Sequence, residues 1–203
     1  MHREILTDKQ LQLLPLIKRF NKSFGLVGGT AFTLHLGHRQ SIDFDLFTHE
    51  NFDRDAVLSK IRTYTKSLNI YVKKTQELTL TVDGIKMTFY KFPFPLDYTD
   101  NFSDIIKMPD LLTLCAMKAF AVGQRAKWKD YVDLYFSLKQ CTITDISMRA
   151  REIFNGEFNP KLLRIQLNTF DDVDYREEVN FMPGFEISME EIRSTLANLS
   201  TQI

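Results

Sequence analysis

The sequence lacks several features that would assign it to a specialised class. Cysteine is scarce, since Cys115 and Cys141 are the only two in 203 residues, and their separation fits no metal-ligand spacing. Cys115 falls in an apolar stretch, where it is most simply a small buried hydrophobe. No apolar run approaches the ~20 residues that a membrane span needs, and no charged-then-apolar leader opens the chain. These absences predict a protein of the reducing cytoplasm with no membrane association.

An excess of charge of either sign is also missing. The 26 Lys and Arg residues balance the 26 Asp and Glu residues, which excludes an obviously basic nucleic-acid binder but leaves local basic patches open. What the chain has in quantity is apolar residues, at 44% with 17 Phe, which is enough for a core. Its length fits one domain with an appendage or two small domains.

The order of the predicted elements indicates an α/β (α+β) fold. In the first half, Thr7 and Gln10 form a capping-box pattern before a helix, and Asp83-Gly84 is a hairpin signal. Helical and strand periodicities predict helices at 8–22 and 53–67 and strands at 69–74, 78–82 and 85–92. From Pro109 the pattern is helical, with predicted helices at 110–122, 127–139, 144–154, 160–168 and 188–199. We therefore expect a mixed sheet flanked by helices in residues 1–100 and a helical region in residues 101–203.

A glycine pair marks the first candidate site. Gly28 and Gly29 follow a short predicted strand, 24–27, and precede a short predicted helix beginning at Thr30. Glycine lets backbone N–H groups approach an anion closely, and a helix N-terminus adds its dipole and free donors. Thr30 is a suitable N-cap residue. The pattern predicts a cradle for phosphate.

Two aspartates form the second half of the candidate site. The stretch 42–47, Ile-Asp-Phe-Asp-Leu-Phe, suits a strand, in which Asp43 and Asp45 share one face while Ile42 and its alternate neighbours face a core. Adjacent carboxylates repel each other, so such a pair is typically accompanied by a bound cation or a cationic side chain. Mg²⁺ fits because it takes oxygen ligands and shares its remaining positions with water and phosphate.

At these residues the chain resembles a known family, the nucleotidyltransferases of the AbiEii/AbiGii toxin type. The resemblance covers most of residues 20–140. It is carried by Gly28-Gly29-Thr30-Ala31, by Gly37-His38-Arg39-Gln40-Ser41, by Asp43-Phe44-Asp45-Leu46-Phe47 and, downstream in 110–138, by Lys118 and Lys129-Asp130-x-x-Asp133.

The resemblance implies a transferase that moves a nucleoside monophosphate from an NTP to a hydroxyl acceptor. It implies two Mg²⁺ ions, with Mn²⁺ as the alternative, held by Asp43 and Asp45, and a triphosphate held by Gly28, Gly29 and Thr30. Arg39 and Ser41 precede the aspartate strand, and the parity of Ser41 lets it reach phosphate or a metal-bound water. The acceptor would be RNA such as tRNA, a protein or a small molecule, and a toxin of this type would have an antitoxin as partner.

Lys118, Asp130 and Asp133 have two interpretations. Lys118 is the one charged residue in the apolar span 111–122, where an unpaired ammonium would be costly, so it needs an anion. The resemblance implies that Lys118 contacts the nucleotide and that the two aspartates complete the catalytic site. The alternative is a solvated salt-bridge face, in which Lys129 pairs with Asp133 at i,i+4.

One position departs from the family pattern. Transferases of this type commonly have a third carboxylate on a neighbouring strand, and the aligned position here is Thr88. Three explanations stay open: Glu77 or Asp97 supplies the base, the metal alone activates the hydroxyl, or the protein binds nucleotide without turning it over. Two further alternatives are a metal-dependent phosphohydrolase and a histidine-carboxylate metal site built on His35, His38 and His49.

Overall fold

The computed structural model describes residues 1–201. The chain forms two compact units, Met1–Asp110 and the residues from Leu111 onward, whereas the sequence placed the division after residue 100. In the described range the α-helices are α1 (Asp8–Lys18), α2 (Gly28–Leu36), α3 (Arg54–Arg62), α4 (Leu111–Gln124), α5 (Trp128–Ser137), α6 (Ile143–Phe154), α7 (Pro160–Asn168) and α8 (Met189–Thr201). The strands are β1 (Gly25–Val27), β2 (Phe44–Thr48), β3 (Leu68–Lys74), β4 (Glu77–Val82), β5 (Ile85–Lys91), β6 (Asp100–Phe102) and β7 (Ile106–Met108).

The first unit is built on a mixed five-stranded sheet with the order β1-β2-β5-β4-β3. Strands β2 and β5 pair in parallel, and the other neighbours in this sheet pair antiparallel. Strands β6 and β7 form a separate antiparallel pair. The predicted mixed sheet flanked by helices is therefore confirmed.

Alternation along the strands gives the sheet a buried face and a partly open one. Phe44 and Leu46 of β2 and Phe89 of β5 are each at most 1% exposed, whereas Asp45 and Thr88 on the opposite face are half-buried. The turn after α1 packs on the buried face of the sheet, where the ring centroids of Phe20 and Phe89 lie 4.8 Å apart. The candidate site residues of β2 therefore lie on the face away from this core.

The predicted starts of α1 and α3 are confirmed, and both helices end earlier than predicted. Thr7 and Gln10 form the capping box that starts α1, and Asp53 caps α3 by accepting hydrogen bonds from the N–H groups of Asp55 and Ala56. Helix α1 ends at Lys18 and passes into turns, and α3 ends at Arg62. Beyond the end of α1, Phe20 continues to face the core from a turn, whereas no residue of 63–67 after α3 is buried. Periodicity therefore overestimated both lengths.

The turn between β4 and β5 is the predicted hairpin. Asp83 and Gly84 both have positive φ, 49° and 84°, as a two-residue turn of the primed type requires. The turn sets the register in which Thr79 of β4 lies opposite Thr88 of β5.

Five helices, α4 to α8, make up the second unit over its described residues, and each lies where the periodicity predicts one. Helix α4 continues to Gln124, two residues beyond the predicted end at 122. Among residues 1–201 no helix is both long and apolar enough to span a bilayer.

Candidate functional site

The glycine turn packs directly against the aspartate strand. Gly28 has φ +71°, and a Cβ added there would lie 2.2 Å from the Asp45 Oδ2 atom. A Cβ on Gly29 would lie 2.7 Å from the Ser41 hydroxyl and 3.3 Å from a terminal nitrogen of Arg39. Gly28 therefore needs glycine, whereas a side chain at position 29 would require the Ser41 side chain to move. The close approach brings five of the predicted residues together around one turn.

Thr30 is not the N-cap of α2. It lies inside α2, whose N-cap is Val27, and no side chain caps that end of the helix. The Thr30 hydroxyl instead contacts the Ser41 hydroxyl at 3.1 Å and donates to the backbone carbonyl of Asp43. The prediction of an N-cap at Thr30 is wrong because Gly28, with its positive φ, lets the helix begin two residues earlier. The N-terminus of α2 keeps its dipole and has no side chain bonded to its first amides, which suits an anion.

The aspartate strand is shorter than predicted. Strand β2 begins at Phe44, so Asp43 lies just before it, and Ile42 is 55% exposed. The expectation that Ile42 faces the core is therefore wrong. The reason is that the backbone carbonyls of Ser41 and Asp43 accept hydrogen bonds from Gln10 and Thr30 rather than from a strand.

Asp43 has a cationic neighbour that sequence reasoning missed. The Lys86 Nζ atom lies 3.6 Å from the Asp43 Oδ2 atom, and both side chains are substantially exposed. Lys86 is two residues before Thr88 on β5, so it projects from the face that carries Asp45. This contact brings the Asp43 carboxylate toward the same face. The sequence contained a signal for this contact, because Lys86 lies two residues before Thr88 and therefore on the same face of the predicted strand.

Thr88 is the direct neighbour of Asp45. The two residues are Cα partners in the parallel pairing of β2 and β5. A carboxylate at position 88 would therefore lie beside Asp45, as expected for the third family carboxylate. Glu77 lies on the same face but on β4, opposite Tyr90, and so is two strands from β2.

The loop before β2 is held by two buried polar side chains. Gln10, fully buried, donates from Nε2 to the Ser41 carbonyl at 2.9 Å. Arg39 is 2% exposed and donates to the Gln40 carbonyl at 2.9 Å. Gln10 is a positioning residue that the sequence assigned only to a helix cap.

The donor set of the first unit suits a hard divalent ion bound together with phosphate. Mg²⁺ is usually held by one or two carboxylates, with substrate phosphate and water completing its shell. Asp43 and Asp45 supply that number of carboxylates, and Asp45 lies against the glycine turn that would hold phosphate. Residues 1–201 contain no grouping of three or more His, Cys, Asp and Glu side chains placed to hold a metal. A site built from protein side chains alone, as in the histidine-carboxylate alternative, is therefore not formed by them.

His35 and His38 have structural environments within the first unit. The His35 Nε2 atom lies 3.1 Å from the Pro109 carbonyl oxygen, and burial lowers the pKa of the imidazole below its usual 6.5. His38 is fully buried, with its ring against Phe32 at a centroid distance of 6.0 Å. The exposed His49 pairs with Glu50 at 3.3 Å.

In the second unit, Lys118, Asp130 and Asp133 form a buried ionic cluster. The Lys118 Nζ atom lies 2.7 Å from Asp130 Oδ1 and 2.6 Å from Asp133 Oδ2. The three residues are 8%, 2% and 0% exposed, and Arg125 approaches Asp130 at 3.6 Å from the surface. The anions that Lys118 requires are thus the two aspartates.

The salt-bridge alternative for α5 is wrong. Asp133 is buried and pairs with Lys118, whereas Lys129 pairs with Glu177 at 3.5 Å. The i,i+4 spacing of Lys129 and Asp133 was compatible with a surface pair. Because Asp133 is buried, however, it pairs with the buried Lys118 of α4.

Comparison with known proteins shows the family to which this chain belongs. Residues 17–198 match the family model described as the nucleotidyl transferase AbiEii toxin of type IV toxin-antitoxin systems. The chain belongs to the AbiEii nucleotidyltransferase toxin family. A protein of Aquifex aeolicus (strain VF5), described only as uncharacterized, is 34% identical over 173 residues, which are 83% of this chain and 77% of that protein.

Solved structures share the fold of this AbiEii family member. MenT4, a nucleotidyltransferase toxin of Mycobacterium tuberculosis H37Rv, superposes with a TM-score of 0.62 at 12% identity, covering 95% of this chain and 81% of that one. A candidate nucleotidyltransferase of H. pylori superposes with a TM-score of 0.61 at 15% identity, covering 96% and 94% of the two chains. At these identities the likeness shows the fold alone, and it confirms the predicted α/β nucleotidyltransferase-like class.

Proposed function

We propose that this AbiEii family member is a Mg²⁺-dependent nucleotidyltransferase that moves a nucleoside monophosphate from an NTP to a hydroxyl acceptor. The observation that carries the proposal is the contact between the glycine turn and the aspartate strand. Because no side chain fits between Gly28 and Asp45, a polyphosphate held by the turn would lie beside the carboxylates. Phosphoryl transfer depends on this placement and on neutralised charge.

We assign the following roles in this reaction to residues of the chain. The turn at Gly28 and Gly29 and the uncapped start of α2 would bind the β- and γ-phosphates. Asp43 and Asp45 would hold the metal, which neutralises charge on the phosphate oxygens when bound. Ser41, which is held by Gln10 and Thr30, would donate to a phosphate oxygen. Buried Arg39 beside Gly29 would support the turn and add positive potential to it.

The transfer step forms and breaks one bond each. The acceptor hydroxyl oxygen bonds to the α-phosphorus, the bond from that phosphorus to the bridging oxygen breaks, and pyrophosphate leaves with the electron pair. The hydroxyl proton passes to a base. Thr88 cannot supply one. The acidic candidates are Glu77, which lies on the same sheet face but two strands from β2, and Asp97, and neither is the pairing partner of Asp45 as residue 88 is.

We further propose catalytic roles for Lys118, Asp130 and Asp133. Their close pairing with little exposure supports a preorganised cluster in which the aspartates set the position of the ammonium. Lys118 would then contact the nucleotide as a fixed positive charge.

The type IV toxin-antitoxin description of the family supports an antitoxin as a partner of this chain. The acceptor would be RNA such as tRNA, or protein. A label-transfer assay tests the reaction. The chain is incubated with Mg²⁺ and each NTP, labelled at either the α- or the γ-phosphate, together with tRNA or protein acceptors. We expect the α-label on an acceptor and the γ-label in pyrophosphate.

The control for this assay is a pair of matched variants, Asp45→Asn and Asp55→Asn. Asp55 lies in the same unit and pairs with Lys73 at the surface, so Asp55→Asn should transfer label normally while Asp45→Asn should not. Transfer of the γ-label would contradict the proposal. Release of inorganic phosphate without transfer would indicate the phosphohydrolase alternative.

A second candidate function is nucleotide binding without transfer. It is favoured by one observation, the presence of Thr88 where a carboxylate would lie beside Asp45. Metal-dependent NTP binding with no label on any acceptor would select it.

A further inference from the structure

The first unit contains a cavity separate from the candidate active site. It has a volume of about 630 Å³ and lies where β2 ends and α3 begins. Its lining includes neither Gly28 and Gly29 nor Asp43 and Asp45. The size falls within the range of small-molecule pockets, roughly 300–1,000 Å³.

Aromatic side chains form much of the cavity wall, and one of them is held in place on both sides. The ring of Tyr98 lies so close to Gly25 that a Cβ there would be 2.0 Å from its Cε1 atom. The Tyr98 hydroxyl donates to the Phe47 carbonyl at 2.9 Å. Phe24 and Phe52 add an edge-to-face pair with centroids 5.2 Å apart. Phe52 and Tyr98 are half-buried and thus present preformed apolar surface to the cavity, whereas Phe24 is 2% exposed and supports Phe52 from behind.

Three lysines surround this aromatic wall, Lys22, Lys60 and Lys107. Lys60 Nζ lies 5.8 Å from the centroid of the Phe20 ring, and Lys107 Nζ lies 5.1 Å from that of Tyr98. Within residues 1–201 none of the three lysines forms an ion pair, in contrast to Lys18, Lys73 and Lys86, which do. The ammonium groups are therefore available for an anionic ligand.

Two carboxylates also line the cavity, Glu50 and Asp53, and the three lysines outnumber them. Asp53 accepts hydrogen bonds from the N–H groups of Asp55 and Ala56 at the start of α3. Glu50 pairs with His49 at 3.3 Å. Neither carboxylate is paired with a lysine of the cavity, so the positive charge predominates there.

We propose that this cavity, which we call the lysine pocket, binds a nucleoside monophosphate. The base would pack against the aromatic wall formed by the half-buried side chains of Phe52 and Tyr98. The phosphate would be held by the three lysines as point charges. Because the pocket contains none of the aspartates assigned to metal, binding there needs no Mg²⁺ and is independent of the proposed transfer reaction.

Isothermal titration of the full chain with AMP, GMP, CMP and UMP in the presence of a chelator tests the proposal. The double variant Lys60→Gln/Lys107→Gln removes two of the charges. The matched control is Lys66→Gln, an exposed lysine of the same unit outside the pocket lining. We expect binding of at least one monophosphate, at least roughly ten-fold weaker in the double variant and unchanged in the control and in Asp45→Asn. Inorganic phosphate and the free nucleoside should each bind more weakly than the monophosphate.

Absence of monophosphate binding would overturn the proposal, as would an unchanged affinity in a double variant whose unfolding curve matches that of the parent. Loss of binding in Asp45→Asn alone would also overturn it, because the ligand would then occupy the candidate active site. Failure of the transferase proposal has a different signature, namely monophosphate binding in the lysine pocket without metal-dependent NTP binding.

Discussion

Asp45 and Thr88 are Cα partners across the parallel pairing of β2 and β5. A side chain at position 88 therefore lies next to the Asp45 carboxylate and on the same face of the sheet. The departure of this chain from the family pattern occurs at the position where a third acid would join the site.

The first prediction concerns that position. Thr88→Asp should raise the rate of label transfer by at least roughly ten-fold, since a positioned general base contributes about 10²–10⁴-fold. The matched control is Thr88→Asn, because Asn has the shape of Asp without its charge. This variant should leave the rate unchanged. The same rate in both variants would show that the missing base does not limit transfer.

The second prediction concerns the glycine turn. Gly28→Ala should cost about 1–2 kcal/mol of stability from positive φ alone, with a further cost from the contact with Asp45, and should abolish metal-dependent NTP binding. Gly184→Ala is the control, because Gly184 has φ +86° and open space around its Cβ position. Urea unfolding and titration measure both effects. Normal NTP binding by Gly28→Ala would show that the close approach is not needed.

Much of this turn could be predicted from the sequence, but not its neighbours. The Gly28-Gly29 pair and the two aspartates are local patterns, and their spacing predicts a strand, a turn and a helix. Lys86 and Gln10 reach the site only through sheet pairing and helix packing, which depend on contacts distant in sequence. Thr30 and Ile42 were assigned wrongly for the same reason, since the bonds from Gln10 and Thr30 to the loop replace strand pairing.

In the second unit the sequence predicted each helix to within two residues at both ends, because helical spacing of apolar residues is a local signal. It also predicted that Lys118 needs an anion, from the cost of burying an ammonium. It could not choose between partners for Asp133, because Lys129 and Lys118 both satisfied simple spacing or charge rules. The short strands β6 and β7, three residues each, were not predicted because they are too short for alternation to show.

The third prediction concerns the buried cluster. Lys118→Met should lower the free energy of unfolding by about 3–5 kcal/mol, because it leaves two buried carboxylates without their cation. Lys127→Met, which breaks the exposed pair with Glu177, should cost at most about 1 kcal/mol. Urea denaturation of both variants gives the comparison. Equal stabilities would contradict the assignment of Lys118 to a buried cluster.

The fourth prediction concerns pH. Burial holds the pKa of His35 below its usual 6.5, so the unfolded chain binds the proton more readily. Stability is then fully present above pH 6.5 and is lost as the pH falls from there toward the lower folded-state pKa. His35→Gln should flatten this slope between pH 7.5 and 5.5, whereas His49→Gln, at an exposed position, should keep it. An unchanged slope in His35→Gln would assign the pH dependence to other groups.

The most direct test of the account is a calorimetric titration of the intact chain with each NTP, with and without Mg²⁺, in the parent, in Asp45→Asn and in Asp55→Asn. The account predicts NTP binding that requires Mg²⁺, is weakened by at least roughly ten-fold in Asp45→Asn and is unchanged in Asp55→Asn. All three proteins should have closely similar unfolding curves. Metal-dependent binding of equal affinity in the parent and in Asp45→Asn would contradict the claim that the glycine turn and the aspartate strand form one metal and polyphosphate site.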